Sequence, residues 1–253
     1  MKDKFIRTSA ALAGASTLAF AAAAQAQEIS ILATAAYKEI LGELAPRFEQ
    51  AHQQKIVARF SSSPDIVRRV QAGEPADVVI LASDSLQALI QSGKVVQGSR
   101  VDLARSGIGV AVRAGAPKPD IASADAVKRA VLASKSVAYS GGASGAYILS
   151  MFRRLGISDE VKPKSHQTAP GVAVGELIVR GEAELGFHQL SELLPVAGID
   201  IVGPLPPELQ HLTVFSSGVH SAARDPGAAR ALIQFLASPE AASAIRKNAM
   251  EPG

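Results

Sequence analysis

Three segments of the chain consist only of the small residues serine, threonine, glycine and alanine, and each follows a predicted strand. They are residues 34–36 (TAA), 61–63 (SSS) and 140–145 (SGGASG). Hydroxyl groups and unpaired peptide N–H groups donate hydrogen bonds, and small side chains let an anion approach them closely. Any one of these segments is explained by helix capping. Because three occur, two in one half of the chain and one in the other, we predict that they bind one small anion together.

Other candidate ligand-binding residues lie near these segments. Arg68 would hold a carboxylate through two parallel hydrogen bonds, although a solvated surface position explains it equally well, and Arg69 and Arg105 are alternatives. Tyr147 would either donate its hydroxyl to the ligand or pack in the core. The complete predicted ligand-binding set is Thr34, Ala35, Ala36, Ser61, Ser62, Ser63, Arg68, Ser140, Ser144, Gly145, Tyr147 and Gln189.

The sequence gives little support for catalysis or for a bound cofactor. The five histidines form no HxxxH or HxH pair, so we predict no metal site. No Gly-Lys-Ser/Thr follows the 140–145 segment, and no Gly-x-Ser-x-Gly motif encloses Ser140, so nucleotide hydrolysis and a nucleophile elbow are not indicated. His188 and Gln189 are neighbours on a predicted strand, and we predict that Gln189 faces the ligand. A hydrolase would instead need His188 within reach of Ser140 or Ser144.

The N-terminus and the composition indicate a secreted protein. Residues 1–26 combine a basic start, an apolar run and an Ala-Gln-Ala end, which is the layout of a cleaved signal peptide. The chain contains no cysteine, which excludes disulfide bonds, thiol catalysis and a lipoprotein anchor. The formal net charge of +3 includes this basic leader, so the remainder is nearly neutral and no nucleic-acid partner is indicated. We therefore predict a periplasmic protein.

The remainder alternates short apolar runs with helical patterns, which predicts an α/β fold of mostly parallel sheets flanked by helices. A turn-rich stretch at 115–119 (GAPKP) separates two similar halves. Gly73-Glu74 and Gly181-Glu182 precede equivalent predicted strands in the two halves, and Ser83-Asp84 and Ser191-Glu192 follow those strands. This spacing favours two α/β lobes that face each other across a cleft, with the ligand past the carboxyl ends of the strands.

The motifs of the chain resemble those of the molybdate-binding branch of the periplasmic solute-binding proteins of ABC transporters. The resemblance covers nearly the whole chain after the leader and rests most on residues 73–78 (GEPADV). Further marks are residues 145–147 (GAY), residues 181–186 (GEAELG) and the alanine-rich C-terminal helices. Residues 99–121 and 250–253 look more like a divergent branch, for which aconitate and other organic polycarboxylates are ligands.

The resemblance implies a type II periplasmic binding protein fold. Lobe 1 would comprise residues 27–112 and 208–253, and lobe 2 would comprise residues 113–207. The function implied is capture of an anion by hinge closure and delivery to a membrane permease. We expect a monomer that needs no cofactor. A receptor for a signalling pathway and, further off, a small hydrolase are the alternative functions.

The resemblance also assigns site residues, and two of the family's hydroxyl donors are missing here. The first ligand serine of the family corresponds to Ala36, whereas the second is kept as Ser63. The family's loop alanine corresponds to Ser144, and its late tyrosine corresponds to Gln189. These differences weaken the case for molybdate or tungstate themselves, and the predicted ligand stays a small anion, either a molybdate-like oxyanion or an organic polycarboxylate such as aconitate.

Overall fold

Short runs rich in Val, Ile and Leu form the strands of two β-sheets in the computed structural model, which describes residues 28–253. The predicted signal peptide, residues 1–26, lies outside the described residues. Every helix within residues 28–253 is too short or too polar to cross a membrane. In chain order the strands are β1 (Glu28–Thr34), β2 (Lys55–Ser61), β3 (Val78–Ala82), β4 (Val101–Ser106), β5 (Ile108–Arg113), β6 (Val137–Tyr139), β7 (Ser165–Gln167), β8 (Leu185–Gln189), β9 (Ile199–Pro204), β10 (Thr213–Val219) and β11 (Met250–Pro252).

Helices pack on both faces of each sheet, and several begin where a strand ends. Ser123 and Asp225 cap the helices that follow them, and each accepts a hydrogen bond from the peptide N–H three residues on. In chain order the helices are α1 (Lys38–His52), α2 (Ser63–Gln71), α3 (Ser83–Gln91), α4 (Ala124–Ala133), α5 (Ala143–Arg154), α6 (Ser158–Val161), α7 (Val174–Val179), α8 (Leu190–Leu193), α9 (Pro226–Leu236) and α10 (Ala242–Lys247).

Each sheet has three parallel strands on one side and antiparallel strands on the other. The first sheet has the order β11-β4-β10-β3-β1-β2, in which β1, β2 and β3 are parallel to one another. The second sheet has the order β7-β6-β8-β5-β9, in which β6, β7 and β8 are parallel. The sheets are therefore mixed rather than mostly parallel as predicted. The antiparallel strands include β5 and β10, which enter a sheet directly after the chain has left the other one.

The chain passes from the first sheet to the second at Gly107, between β4 and β5. It returns between β9 and β10. The first crossing lies five residues before the boundary predicted at 112/113. The prediction placed the boundary at the turn-rich stretch near Gly115, but that turn lies at the far end of β5. The run from Val101 to Val112 contains no such turn and simply continues from one sheet into the other.

Side chains of the central strands alternate between two cores, because successive residues of a strand point to opposite faces. In β1, Ile29 and Ile31 join the core that α1, α9 and α10 cover, whereas Leu32 joins the core beneath α2 and α3. Burial on both faces explains why β3 reads Val-Val-Ile-Leu-Ala without a polar residue. This sandwich fixes the carboxyl ends of the strands, from which the candidate site is built.

Candidate functional site

A cavity of about 30 Å³ lies between the two sheets at the carboxyl ends of their parallel strands. Residues that follow β1 and β2 form one wall, and residues that follow β6, β7 and β8 form the other. Its lining residues are Thr34, Ala35, Ser62, Ser63, Ser140, Gly141, Gly142, Ala143, Ser144, Thr168, Ala169, Gly171, Val172, His188, Gln189, Glu192 and Phe215.

All three segments singled out in the sequence contribute to this cavity. The residues of the predicted ligand-binding set that line it are Thr34, Ala35, Ser62, Ser63, Ser140, Ser144 and Gln189. Ser63 and Ser144 therefore line the same cavity from opposite sheets. The structure thus assembles hydrogen-bond donors from both sheets around one small volume.

The donors of the first sheet lie at the start of α2. The Ser62 hydroxyl caps the helix by accepting a hydrogen bond from the Asp65 N–H at 3.4 Å. The buried Ser63 hydroxyl accepts a hydrogen bond from the Ala82 N–H at 3.0 Å. Since that bond uses an acceptor site of the oxygen, the Ser63 hydroxyl keeps its own proton to donate to a ligand.

The donors of the second sheet belong to a tight loop that opens α5. The Ser140 Oγ lies 2.8 Å from the Ser144 Oγ and accepts hydrogen bonds from the N–H groups of Gly142 and Gly145, both at 3.2 Å. A Cβ atom on Gly145 would lie 1.7 Å from the Ser140 carbonyl oxygen, so a side chain cannot be fitted there without moving backbone. The glycines of this loop are therefore explained by backbone packing as well as by access for a ligand.

The arginine of the predicted clamp does not line the cavity in this structure. The Arg68 side chain is 70% exposed and pairs with Asp65 at 2.6 Å, because its position on α2 directs it away from the cavity. Arg69 pairs with Glu74 at 2.6 Å, and Arg105 is exposed on β4. Among the described residues that line the cavity, none is a lysine or an arginine. Peptide and hydroxyl donors, rather than full positive charges, face the enclosed space.

Four further residues of the predicted set do not line the cavity. The Tyr147 hydroxyl donates a hydrogen bond to the Leu209 carbonyl at 2.7 Å, and its ring stacks on His211, so it packs rather than faces a ligand. The Ser61 hydroxyl donates to Asp65 at 2.7 Å. Ala36 and Gly145 are buried in the layer behind the cavity wall.

Two titratable residues at the junction of β8 and α8 line the cavity: Glu192, which was not among the predicted site residues, and His188, which was considered only as the alternative to Gln189. His188 Nε2 lies 3.3 Å from Glu192 Oε1, and the two side chains are 3% and 17% exposed. Burial raises the pKa of Glu192 to about 8 and lowers the pKa of His188 to about 3. At neutral pH the pair therefore consists of a neutral carboxyl group beside a neutral imidazole.

The assumption that only one of two neighbouring strand residues faces the cavity explains why this pair was not predicted. We predicted that either His188 or Gln189 faces the ligand, since neighbours on a strand point to opposite faces. Both line the cavity, because β8 ends there and the chain turns directly into α8. Gln189 Nε2 donates to Thr213 Oγ1 at 2.8 Å. The i, i+4 spacing of His188 and Glu192 across a strand-to-helix turn was the available signal.

The arrangement does not resemble that of a hydrolase or of a metal centre. The described contacts of His188 include Glu192 but no hydrogen bond to Ser140 or Ser144, so no serine in the cavity is paired with a base. Within residues 28–253, no group of three or more His, Asp or Glu side chains is placed to hold a metal ion. The cavity instead offers neutral donors together with one carboxyl–imidazole pair.

Comparisons with known proteins agree with the architecture. The family model described as "Bacterial extracellular solute-binding protein" matches residues 29–251. An aconitate isomerase from Pseudomonas sp. is 42% identical over 94% of each chain, and the molybdate-binding protein ModA of Azotobacter vinelandii is 28% identical over 89% of this chain and 90% of its own. The solved structure of the periplasmic molybdate-binding protein of A. vinelandii superposes with a TM-score of 0.72 at 20% identity, covering 88% of this chain and 98% of that one.

Proposed function

The chain belongs to the bacterial extracellular solute-binding proteins, and from that premise we propose that it binds a small organic polycarboxylate of the aconitate class in the cavity between its two sheets. The observation that carries the proposal is the convergence of Ser63 and Ser144, with the peptide N–H groups around them, on one space from opposite sheets. A small anion that satisfies both sets of donors would hold the two sheets together. The family relationship makes such binding the expected use of the fold.

Two features favour a polycarboxylate over a tetrahedral oxyanion. The relative named aconitate isomerase shares 42% identity along almost the whole chain, whereas the molybdate-binding protein shares 28%. The positions that would supply a serine and a tyrosine hydroxyl to molybdate hold Ala36 and Gln189 here. Glu192 adds a carboxyl group that, when protonated, donates a hydrogen bond to a carboxylate ligand.

The family suggests that the protein delivers its bound ligand to an ABC-transporter permease. In that role the protein would alternate between an open and a ligand-bound form, and the permease would recognise the second. The predicted leader and the family description support a role outside the cytoplasm. A genetic test would delete the gene and measure uptake of labelled aconitate by whole cells.

Conversion of the ligand is a second candidate function, and one observation favours it. A carboxyl–imidazole pair with shifted pKa values lines the cavity, which is an arrangement common to sites of proton transfer. The aconitate isomerase relative carries out a reaction that interconverts isomers of a polycarboxylate. Binding and conversion are compatible, since the same cavity would serve both.

A ligand screen by thermal unfolding tests the binding proposal. The purified protein would be heated with cis-aconitate, trans-aconitate, citrate, molybdate, tungstate or sulfate. A ligand that binds only the folded state raises the midpoint, by about 5 °C or more at a hundredfold excess over Kd. We expect an aconitate isomer to give the largest shift. A shift with molybdate alone, or with none of these anions, would contradict the proposal.

A further inference from the structure

The carboxyl–imidazole pair is difficult to explain as part of a site that only holds an anion. An ionised carboxylate beside a bound polycarboxylate would repel it, and a glutamine would donate the same kind of hydrogen bond without that cost. Glu192 and His188 are the only titratable residues among the described residues that line the cavity. A group that gains and loses a proton next to the ligand is required for proton transfer, not for retention.

We propose that Glu192 is the catalytic base that removes a proton from the bound polycarboxylate and returns it at another carbon. This inference rests on the proposed ligand class. It assigns to this chain a specific proton-transfer residue, with His188 as the positioning residue that holds the Glu192 carboxyl group toward the cavity. The 3.3 Å contact between His188 Nε2 and Glu192 Oε1 is the geometric basis of that role.

The chemistry of an aconitate-type ligand needs a single base. The ligand carries a methylene group between a carboxylate and a carbon–carbon double bond, and its methylene proton is acidified by both. The Glu192 carboxylate takes this proton, the negative charge spreads over the three-carbon unit and its carboxylates, and the double bond moves to the former methylene carbon. Glu192 then returns the proton to the former vinyl carbon. One proton leaves and one is added, so no oxidant or reductant is involved.

The surroundings of the pair suit this role. Ser144 lies on the same wall of the cavity as Glu192, where its hydroxyl group would stabilise the charge that develops on the ligand. His188 is almost fully buried, and its Nδ1 atom has no hydrogen-bond partner among the described residues. The turn at Ala35–Tyr37 packs against α8 and brings in Tyr37, a buried phenol whose pKa is raised by burial and which therefore stays neutral.

The experiment follows the isomers of aconitate by proton NMR in D₂O. Wild-type protein is expected to equilibrate cis- and trans-aconitate and to exchange the transferred proton for deuterium. Glu192→Gln, which keeps size and polarity but removes the base, should still shift its melting midpoint with aconitate yet lose at least 100-fold in isomerisation rate. Asp84→Asn, at the corresponding place after β3 and exposed to solvent, is the matched control and should behave as wild type.

Each other outcome has a definite meaning. Binding of aconitate without isomerisation by wild type, or isomerisation by Glu192→Gln at a similar rate, would overturn the role of Glu192 while leaving the proposed ligand intact. A Glu192→Gln variant that folded but no longer bound aconitate would also overturn it, since the carboxyl group would then serve to hold the ligand. Failure of wild type to bind aconitate at all would remove the proposed function itself.

The positioning role of His188 has a separate readout. The wild-type rate should rise with pH as the Glu192 carboxyl group ionises, because the base form is the reactive one. His188→Gln should shift the midpoint of that pH profile, since it changes the neighbour that contacts the carboxyl group. A lower rate with an unchanged pH midpoint would assign His188 to packing alone.

Discussion

The two halves of the molecule share a local pattern, a Gly-Glu turn followed by a buried strand that ends near the cavity. Only the second half places titratable side chains in the cavity. Gly73 and Gly181 both adopt left-handed backbone conformations, with φ of +94° and +77°, in the turns that lead into β3 and β8. Each strand buries all five of its residues. Beyond β3 the acidic residue Asp84 is exposed, whereas beyond β8 the acidic residue Glu192 lines the cavity. Similar sequence thus yields one surface turn and one candidate reactive site.

The acidic residues that precede the two strands differ in the opposite sense: the one before β3 is buried and the one before β8 is exposed. Before β3, Asp77 is 3% exposed and its carboxylate accepts hydrogen bonds from Ser30 and Arg224, which tie three segments of the first sheet together. Before β8, Glu184 is 49% exposed and accepts one bond from the Lys135 N–H. The buried acid of the first half therefore connects segments of one sheet, whereas the buried acid of the second half lines the cavity.

The largest expected effect in this comparison is on stability, at Asp77. Burial would raise the pKa of Asp77, but hydrogen bonds from Ser30 and Arg224 outweigh burial and hold the pKa below its usual value. Asp77→Asn leaves these donors without a charged partner and should lower the free energy of unfolding by about 3 kcal/mol at pH 7. Because the folded-state pKa is lowered, the contribution is present at neutral pH and is lost as pH falls below about 4.

Urea unfolding of Asp77→Asn and Glu184→Gln measures this difference directly. Glu184→Gln, at the partly exposed position, should cost less than about 1 kcal/mol. Equal losses of unfolding free energy for the two variants would mean that buried Asp77 stabilises the fold no more than partly exposed Glu184 does. The difference between wild type and Asp77→Asn should also shrink in acid, where the Asp77 carboxylate becomes protonated.

The next effect is on the pH dependence of stability, at Glu192. Its pKa of about 8 in the folded protein exceeds the unfolded value, so its stabilising effect is complete below about pH 4.5 and is lost as pH rises through 8. Glu192→Gln should remove this loss, so its free energy of unfolding relative to that of wild type should increase between pH 5 and pH 9. His188, with a lowered pKa, acts oppositely and affects only the acid side, between about pH 6.5 and pH 3.

Chemical unfolding of the ligand-free protein at a series of pH values checks this expectation. Asp84→Asn is again the matched control, because Asp84 is exposed after the equivalent strand. Parallel pH profiles for wild type and Glu192→Gln would show that the Glu192 carboxyl group is ionised in the folded protein. That result would remove the physical distinction drawn between the two halves.

A smaller effect concerns ligand affinity and the contribution of each sheet. Ser63→Ala removes a donor of the first sheet, and Ser144→Ala removes one of the second. Each loss of a hydrogen bond to a charged ligand should weaken binding of aconitate by roughly tenfold, or about 1.4 kcal/mol. Isothermal titration calorimetry of the two variants would test this. A loss in only one of them would mean that the ligand binds to one sheet and does not bridge the two.

The architecture was largely predictable because it depends on local patterns. Apolar runs such as the one from Val78 to Ala82 require burial on both faces, and Gly-Glu turns before β3 and β8 mark equivalent positions. The hydroxyl segments were predictable as well, since parallel strands bring their carboxyl ends to one edge. The crossing at Gly107 was not, because an uninterrupted strand-like run gives no sign of where the chain leaves a sheet.

The titratable part of the site depends on tertiary packing and was therefore missed. A strand runs directly into a helix before both Asp84 and Glu192, but only Glu192 lies beside a buried histidine, 3.3 Å from His188. Arg68 was assigned to the ligand because guanidinium groups suit carboxylates. The rotation of α2, set by burial of Ile66 and Val70, directs Arg68 to solvent instead.

The smallest expected effect is at Arg68, and it separates the chemistry of the cavity from that of the surrounding surface. Arg68 forms an ion pair with Asp65, which lies three residues earlier on α2. Such exposed pairs on a helix contribute about 0.5 kcal/mol or less to the free energy of unfolding. Arg68→Gln should therefore leave both the melting midpoint and the affinity for aconitate close to those of wild type. A tenfold loss of affinity would mean that α2 rotates when ligand binds and that a cation joins the site. An unchanged Kd would support a site in which neutral donors of both sheets hold the anion and the second sheet alone supplies the group that titrates.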